Sequence, residues 1–441
     1  MTPGRRASPC AERGCAGGSV SLFAPAGVLP SGDRESRRPL PLPRGRSGLP
    51  RPEVETMKFD KSRELFPIKN KYIFLSHCGI SPLYSEAFSR MCEVAKVQVE
   101  GASMVFSEYD SMLNSLRNGA ADLMKTSGDN IAFVKNTSEG INLIANGYPF
   151  ENGDEIISYV HEYPANHYPW RLQENRGVKL VLLEDHDPTE VARRSCPSAW
   201  SFEELERLTT SKTRVLAISH VQFASGFAAD LPRVASFCND RGIDLVVDAA
   251  QSLGAMPLYP EDLNLAAVVS AGWKWLMGPL GTGLMYTSPA LRAKLEHVVV
   301  GAETMLQGTD YLDHTWAPHS AAKRFEYSTS PLPLAAALDT CIRGVQLHYG
   351  IEAVHGEIMR LHDLFLKQID HDRYTPLLFP SQNRSTILSL NCGDHDAREI
   401  CSQLPENGLI CTSRGEYLRF APHVHNTDEE VVRAAEILNA I

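Results

Sequence analysis

Residues 270–283 are Ser-Ala-Gly-Trp-Lys-Trp-Leu-Met-Gly-Pro-Leu-Gly-Thr-Gly, and they follow directly on an apolar run, Ala266–Val269. A second apolar run, Ile243–Val247, leads into Asp248, which precedes Lys274 by 26 positions. Short continuous apolar runs bounded by turn residues are typical of strands buried on both faces of a sheet. The two stretches therefore predict two buried strands, one ending at a carboxylate and the other just before a lysine.

The chain between Tyr72 and Pro333 repeats this alternation of strand and helix. Further strand-like runs lie at 72–75, 130–135, 155–160, 178–183, 214–219 and 284–286, and helical patterns lie at 85–125, 138–146, 164–174, 202–209 and from 230 onward. The alternation predicts an α/β fold in which a mostly parallel, mixed sheet lies between helices. Such sheets bind ligands beyond the carboxyl ends of their strands, where we expect Asp248 and Lys274.

The sequence divides into three parts. Residues 57–333 are expected to form a large domain, whose first residues are candidates for packing on the smaller one. Residues 334–441 are expected to form a small C-terminal α/β domain that opens with a long helical run. Residues 1–56 contain nine arginines, no lysine and many Pro, Gly and Ser residues, which is typical of disorder or of a non-native extension before Met57. An organelle-targeting leader is the alternative, and acidic residues and prolines in this stretch weigh against it.

The bulk properties narrow the class of protein. The 441 residues are 43% hydrophobic and 22% charged with a formal net charge of -10, which argues against a general binder of nucleic acids or anionic membranes. No stretch approaches the roughly 20 apolar residues that span a bilayer. Ten cysteines are scattered without metal-ligand spacing, so we expect no metal site and free thiols in a reducing cytoplasm.

Asp248 and Lys274 together point to the chemistry of pyridoxal 5'-phosphate (PLP). A lysine can form a Schiff base with the aldehyde of this cofactor, and a carboxylate can keep the ring nitrogen protonated so that the ring accepts electrons. The alternative is a helix-starting aspartate and a surface lysine, but Trp273 and Trp275 on either side of the lysine disfavour plain exposure. The pair therefore predicts a PLP-dependent enzyme.

A phosphate site is predicted at Asn136-Thr137-Ser138-Glu139-Gly140, where a strand gives way to a helix. The free N–H groups and the dipole of a helix N-terminus favour an anion by roughly 0.3–2 kcal/mol. The hydroxyls of Thr137 and Ser138 would add donors. Such residues also cap helices that bind no ligand. The segment therefore indicates a phosphate site only in combination with Asp248 and Lys274.

From Tyr72 to Leu438 the chain resembles the class V aminotransferase family of fold type I PLP enzymes. This family includes cysteine desulfurases, selenocysteine lyases, isopenicillin N epimerase-like proteins and kynureninase. The matching blocks occur in the family's order at 136–142, 162–170, 219–226, 248–254, 272–283, 324–331 and 419–427.

The resemblance implies cofactor-binding roles for single residues. Lys274 would be the catalytic residue that carries the cofactor and moves protons at Cα, and Asp248 would pair with the pyridinium nitrogen. Gln251 would reach the ring hydroxyl or the phosphate. Tyr163 would stack on the ring, unless it is simply a core tyrosine. Trp273 stands where desulfurases carry a phosphate-binding histidine, so its indole N–H is a candidate donor.

The resemblance also implies a homodimer with shared active sites and an α-amino acid substrate. Thr329 matches a residue that reaches the phosphate of the opposite subunit. Arg419 would bind the substrate α-carboxylate with two parallel hydrogen bonds, with Arg414 as its nearby competitor. His77, in an early turn, is a candidate for facing the substrate.

The match to desulfurases is incomplete where they carry a nucleophilic cysteine. The stretch before Arg419, residues 413–418, has no cysteine, and Cys411 is expected on the preceding strand, where burial makes a thiol inert. Transamination is the nominal reaction, with lyase or epimerase chemistry that also starts at the Cα proton close behind. A desulfurase or selenocysteine lyase, and a PLP-binding protein without turnover, are the alternatives.

Overall fold

The structure is a computed structural model and describes residues 58–191 and 196–441, so the predicted extension at 1–56 lies outside the described residues. The described residues belong to one compact unit, and the division at Pro333 stays a prediction. In this part of the chain, every helix is too short or too polar to cross a membrane. The strands are β1 (Ile73–Phe74), β2 (Ile131–Val134), β3 (Glu155–Tyr159), β4 (Lys179–Leu183), β5 (Thr213–Ser219), β6 (Asp244–Asp248), β7 (Ala267–Ala271), β8 (Gly283–Thr287), β9 (Thr375–Pro376), β10 (Leu388–Asn391), β11 (Leu409–Ile410), β12 (Thr412–Arg414) and β13 (Tyr417–Phe420).

The α-helices cover both faces of the main sheet and part of the C-terminal sheet. They are α1 (Ser85–Gly101), α2 (Tyr109–Met124), α3 (Thr137–Gly147), α4 (Tyr168–Arg171), α5 (Phe202–Leu208), α6 (Leu231–Asn239), α7 (Pro289–Lys294), α8 (Leu332–Cys341), α9 (Ile351–Leu366), α10 (Ala397–Gln403) and α11 (Asp428–Ala440).

Seven strands form the main sheet in the order β2-β8-β7-β6-β5-β3-β4. β8 runs antiparallel to both of its neighbours, and all other pairs are parallel, so the predicted mixed, mostly parallel sheet is confirmed. All of β7 and nearly all of β6 are buried, which explains their uninterrupted apolar sequences. Asp248 is the last residue of β6 and lies beside Ser219, the last residue of β5.

Two long helices expected from the sequence are each interrupted. The run 85–125 breaks after α1, because Ala102 adopts a φ of 48°, and a 3-10 turn leads into α2. The helical run that opens the C-terminal part, predicted over about 334–369, passes through a π-helical segment, Ile342–Leu347, and then breaks at Gly350, whose φ is 80°. A left-handed residue cannot continue a right-handed helix, and apolar periodicity does not reveal where one occurs.

The C-terminal part contains a second sheet, β12-β13-β10-β9, and a small parallel pair, β1 with β11. In that pair Ile73 lies opposite Leu409, so the start of the described chain joins the last strands. A separate apolar core beneath the second sheet includes Leu361, Leu390 and Leu418. Tyr417, next to Leu418, instead packs into the large core of the main sheet.

Candidate active site

A cavity of about 320 Å³ opens at the carboxyl ends of β5, β6 and β7. The strand order brings Asp248 and the Lys274 loop to this edge, as the sequence predicts. The walls are formed by Asn136, Thr137, Ser138, Tyr163, Ala165, Ser219, Val221, Phe223, Asp248, Ala250, Gln251, Ala271, Trp273 and Lys274.

Asp248 and Lys274 face the same cavity and shift each other's pKa. Burial raises the pKa of the Asp248 carboxyl, while a hydrogen bond from Ala250 N (2.9 Å) and the charge of Lys274 oppose that rise. Burial lowers the pKa of the Lys274 ammonium, and the charge of Asp248 opposes it. Asp248 and Lys274 interact only through their charges, and among the described residues the Lys274 amine has no hydrogen-bond partner. A buried amine without a hydrogen-bond partner and a buried carboxylate with one backbone donor fit PLP, whose aldehyde would react with the amine and whose ring nitrogen would pair with the carboxylate.

The N-terminus of α3 forms the side of the cavity expected to hold the phosphate. The Asn136 side chain caps the helix by accepting a hydrogen bond from Glu139 N at 2.8 Å. Thr137 and Ser138, the first helical residues, line the cavity. A Cβ on Gly140 would lie 2.5 Å from Val269 Cγ1, so glycine lets the helix lie close against β7. This cradle of backbone donors and hydroxyls fits a phosphate.

Tyr163 and Trp273 both line the cavity, and the stacking of Tyr163 on a PLP ring and the hydrogen bond from the Trp273 indole to a phosphate stay predictions. The Lys274 Nζ atom lies 5.5 Å from the Tyr163 ring centroid, and Phe223 packs edge-on against the same ring at 5.3 Å. Tyr163 is 44% exposed, which a core tyrosine would not be. The Trp273 carbonyl accepts hydrogen bonds from Ser81 N and Oγ, at 3.0 and 3.1 Å, and these bonds fix the lysine loop.

Gln251 reaches the cavity, but its amide group is already engaged by the protein. Its Nε2 donates to the Cys78 carbonyl at 2.9 Å, and its Oε1 accepts from the Trp275 indole at 3.2 Å. These bonds tie the loop after β6 to the turn after β1 and to the lysine loop. Contact of Gln251 with the cofactor stays a prediction.

Arg419 lies on β13 with its side chain almost wholly buried. Its Nη1 donates to the Phe223 carbonyl and its Nη2 to Thr412 Oγ1 at 3.0 Å, while its Nε has no partner in the described part of the chain. Burial lowers the pKa of the guanidinium, and the positive charge of Arg414 adds to that effect. Neither bonded acceptor is charged, so this arginine is suited to bind an anionic group.

His77, Thr329 and Arg419 are not among the residues that line the cavity of their own chain. His77 is fully buried, with Nδ1 3.0 Å from the Ala421 carbonyl and Nε2 3.2 Å from His425 Nε2, and it forms a cluster with His423 and His425. The prediction that His77 faces the substrate conflicts with these contacts, which occupy both ring nitrogens. Thr329 lines a separate cavity with Tyr327 and Glu139.

Glu162, to which the sequence assigns no role, is a buried carboxylate behind the cavity. Glu162 accepts hydrogen bonds from Ser219 N (2.7 Å), Ser219 Oγ and Gln222 Nε2 (2.9 Å). Burial raises its pKa to about 7, and the neighbouring charge of Asp248 adds to the rise. Glu162 stands in one of the matched sequence blocks, but nothing in the sequence indicates that it would fold against Ser219.

Comparison with known proteins finds relatives over most of the chain. The family model described as aminotransferase class-V matches residues 90–438. A protein of Methanothermobacter thermautotrophicus named "Probable cysteine desulfurase" is 24% identical over 412 residues, which cover 87% of this chain and 98% of the relative. The cysteine desulfurase of Salmonella agona is 29% identical over 313 residues, covering 68% of this chain and 71% of the relative.

Solved structures share the fold. The apo cysteine desulfurase of Thermococcus onnurineus NA1 superposes with a TM-score of 0.76 at 22% identity, covering 87% of this chain and 98% of that one. The cystine C–S lyase C-DES, in complex with its product cysteine persulfide, gives a TM-score of 0.75 at 19% identity and covers 85% and 99%. Another C-DES structure holds glycine covalently linked to its PLP cofactor. The site built around Asp248 and Lys274 fits that cofactor, and with the family match over most of its length the chain belongs to the class V aminotransferases, fold type I enzymes that use PLP.

Proposed function

We propose that this protein is a PLP-dependent lyase that breaks the Cβ–S bond of a sulfur-containing α-amino acid. Two relatives are named as cysteine desulfurases and one solved structure as a cystine C–S lyase, and these names favour the removal of sulfur from an amino acid over the nominal transamination. One observation carries the proposal: β12 and β13 form a tight hairpin beside Arg419 that contains no cysteine. A sulfur group that leaves on its own needs no nucleophile from the protein.

Each residue of the site has a defined task in this reaction. PLP bound at Lys274 supplies a ring that accepts the electron pair released at Cα. Arg419 binds the α-carboxylate, and the lowered pKa of Lys274 suits its amine to remove the Cα proton. Asp248 would pair with the ring nitrogen, and a positive charge there would lower the raised pKa of this carboxyl and keep it ionised.

A cysteine desulfurase that carries sulfur on the protein is the second candidate, and Cys78 is the residue that favours it. Its Sγ lies 3.6 Å from Thr412 Oγ1, the same hydroxyl that accepts from Arg419. Cys411, the thiol named from the sequence, instead packs in the core beneath the second sheet, and its pKa is raised by its contact with the Cys401 thiol and by burial. Burial and a raised pKa leave Cys411 a poor nucleophile.

Product analysis of the purified holoenzyme separates these reactions. A lyase is expected to release ammonia and a keto acid from cysteine or its S-substituted derivatives. A desulfurase would release alanine and leave one extra sulfur atom on Cys78, visible by mass spectrometry and lost in Cys78→Ser. Conversion of the cofactor to its amine form, with a keto acid that retains the sulfur, would establish transamination and contradict the proposal.

We also propose that the protein is a homodimer and that it is located in the cytoplasm. Large apolar side chains are exposed on two segments of the described chain, Val99 and Met104 on one, Leu312 and Trp316 on the other. Exposed apolar groups of this kind mark a surface that a partner covers. Cys401 and Cys411 lie side by side as thiols without forming a disulfide, which suits a reducing compartment.

A further inference from the structure

Two cysteines of the C-terminal part, Cys401 and Cys411, lie close enough to react with each other. Cys401 is near the end of α10, and Cys411 is the single residue between β11 and β12. Their Sγ atoms are 4.0 Å apart, and the Cys401 thiol donates to the Cys411 carbonyl at 3.7 Å. A disulfide requires the two sulfur atoms to approach each other by about 2 Å more. The pair is therefore within reach of a disulfide, although both residues are thiols in this structure.

The two thiols differ in the way that a reactive pair requires. Cys401 is partly exposed, so a small oxidant can reach it, whereas Cys411 is buried. The hydrogen bond from the Cys411 thiol lowers the pKa of Cys401 to about 7, and hydrogen bonds from Ser413 add to this effect against that of burial. The thiolate is the form of cysteine that reacts, and a thiol with this pKa is largely thiolate just above neutral pH. Cys401 is thus the thiol that reacts first.

The pair is connected to the arginine proposed to bind the substrate. Cys411 packs in the core of the second sheet and is followed directly by Thr412, whose Oγ1 accepts from Arg419 Nη2 at 3.0 Å. Successive side chains along an extended chain point to opposite faces, so Thr412 points away from Cys411 and its core. Drawing Cys411 towards Cys401 therefore pulls Thr412 back from Arg419.

We propose that Cys401 and Cys411 form a reversible disulfide when the protein meets a hydroperoxide, and that this bond weakens binding of the substrate carboxylate at Arg419. Formation of the disulfide is independent of the reaction that the enzyme catalyses, whereas its effect on the substrate rests on the proposed function and on the role of Arg419 in it.

The oxidation is balanced by the hydroperoxide alone. The Cys401 thiolate attacks one oxygen of hydrogen peroxide, the O–O bond breaks, and the products are a sulfenic acid and a hydroxide, which takes up a proton to become water. The contact with the Cys401 thiolate that raises the Cys411 pKa is then lost, and the Cys411 sulfur attacks the sulfenic sulfur. The S–O bond breaks, and the oxygen leaves with the Cys411 proton as water. The thiols lose two electrons and two protons, and one hydrogen peroxide becomes two waters.

Peptide mapping tests the disulfide directly. Trypsin cuts after Arg398 and Arg414, so both thiols fall in one peptide, residues 399–414. After the holoenzyme is treated with hydrogen peroxide and alkylated, this peptide is expected to be lighter by two hydrogens and to carry no alkyl group, and dithiothreitol should reverse both changes. Cys401→Ser and Cys411→Ser should each abolish this product, whereas Cys92→Ser, which removes an exposed thiol on α1, should not. Alkylation of both thiols after the peroxide treatment, or a crosslink from Cys401 to another cysteine, would overturn the assignment.

Binding of S-methylcysteine, an amino acid without a thiol that could reduce the bond, tests the effect on Arg419. In Lys274→Ala loaded with PLP, calorimetry is expected to show about fivefold weaker binding to the oxidised protein than to the reduced protein, and added Cys401→Ser should remove the difference. PLP content should be the same in both states, since neither thiol is among the residues that line the Lys274 cavity. Equal affinity in the two states, or no binding in either, would reject the coupling to Arg419. If the wild type cleaves no sulfur-containing amino acid but oxidation still weakens this binding, the lyase function fails and the switch stands.

Discussion

Lys274 combines the two properties that a residue needs to hold a cofactor and move protons. It is partly accessible from the cavity and has no hydrogen-bond partner in the described chain, and burial favours its uncharged form. An uncharged amine can react with an aldehyde and accept a proton, whereas an ammonium can do neither.

Replacement of this lysine separates binding of the cofactor from chemistry. Lys274→Ala is expected to retain PLP without a covalent bond and to lose activity by about a thousandfold or more, since no base replaces the amine. The absorbance spectrum before and after dialysis gives the result. PLP that stays covalently attached to Lys274→Ala would show that another lysine carries it.

Glu162 makes a prediction about pH. Its pKa is raised from 4.5 to about 7, so the folded protein holds this proton more tightly than the unfolded chain does. The resulting stability is fully present below about pH 4.5 and is lost as the pH rises through about 7. Glu162→Gln resembles the protonated acid, so the free energy of unfolding of wild type minus that of the variant should fall by on the order of 2–3 kcal/mol across this window. Denaturant titrations of both proteins at several pH values measure it, and a constant difference would contradict the raised pKa.

At the scale of elements, the close contact between α3 and β7 would set where the phosphate of PLP binds. In Gly140→Ala the added methyl group meets Val269, so the helix must move outward and its N–H groups leave the phosphate. PLP affinity is expected to fall about tenfold, measured by equilibrium titration of the apoenzyme. Gly356→Ala is the matched control, because Gly356 lies in α9 with open space around its Cβ. That variant should keep PLP affinity and gain slight stability.

The positions of the buried strands could be predicted from the sequence more accurately than the ends of the helices and the buried contacts between distant residues. β6 and β7 lie within a residue or two of their predicted bounds, because strands buried on both faces have unbroken apolar sequences. The break at Ala102 depends on one backbone angle, and the role of Glu162 depends on Ser219, 57 residues away. His77 was misjudged because its partner, His425, is distant in the sequence.

At the scale of the whole molecule, the expected dimer can be tested by the native mass and by a substitution at Thr329. The native mass should be twice the 48.7 kDa of one chain. Thr329→Ala is expected to weaken PLP affinity about tenfold, although Thr329 lies outside the Lys274 cavity of its own chain, because the hydroxyl would reach the partner's phosphate. Light scattering and cofactor titration give the two results. A monomer with full PLP affinity would rule out shared sites.

The parallel pairing of β1 with β11 constrains the order in which parts of the chain fold during synthesis. Ile73 cannot meet Leu409 until the ribosome has made nearly the whole chain, whereas the strands that carry Asp248 and Lys274 are complete well before that. Contacts between residues so far apart in sequence form slowly, and domains fold as they emerge. The strands of the main sheet that position Asp248 and the Lys274 loop are therefore synthesised well before Arg419, so the residue proposed to bind the substrate carboxylate is the last part of the site to be made.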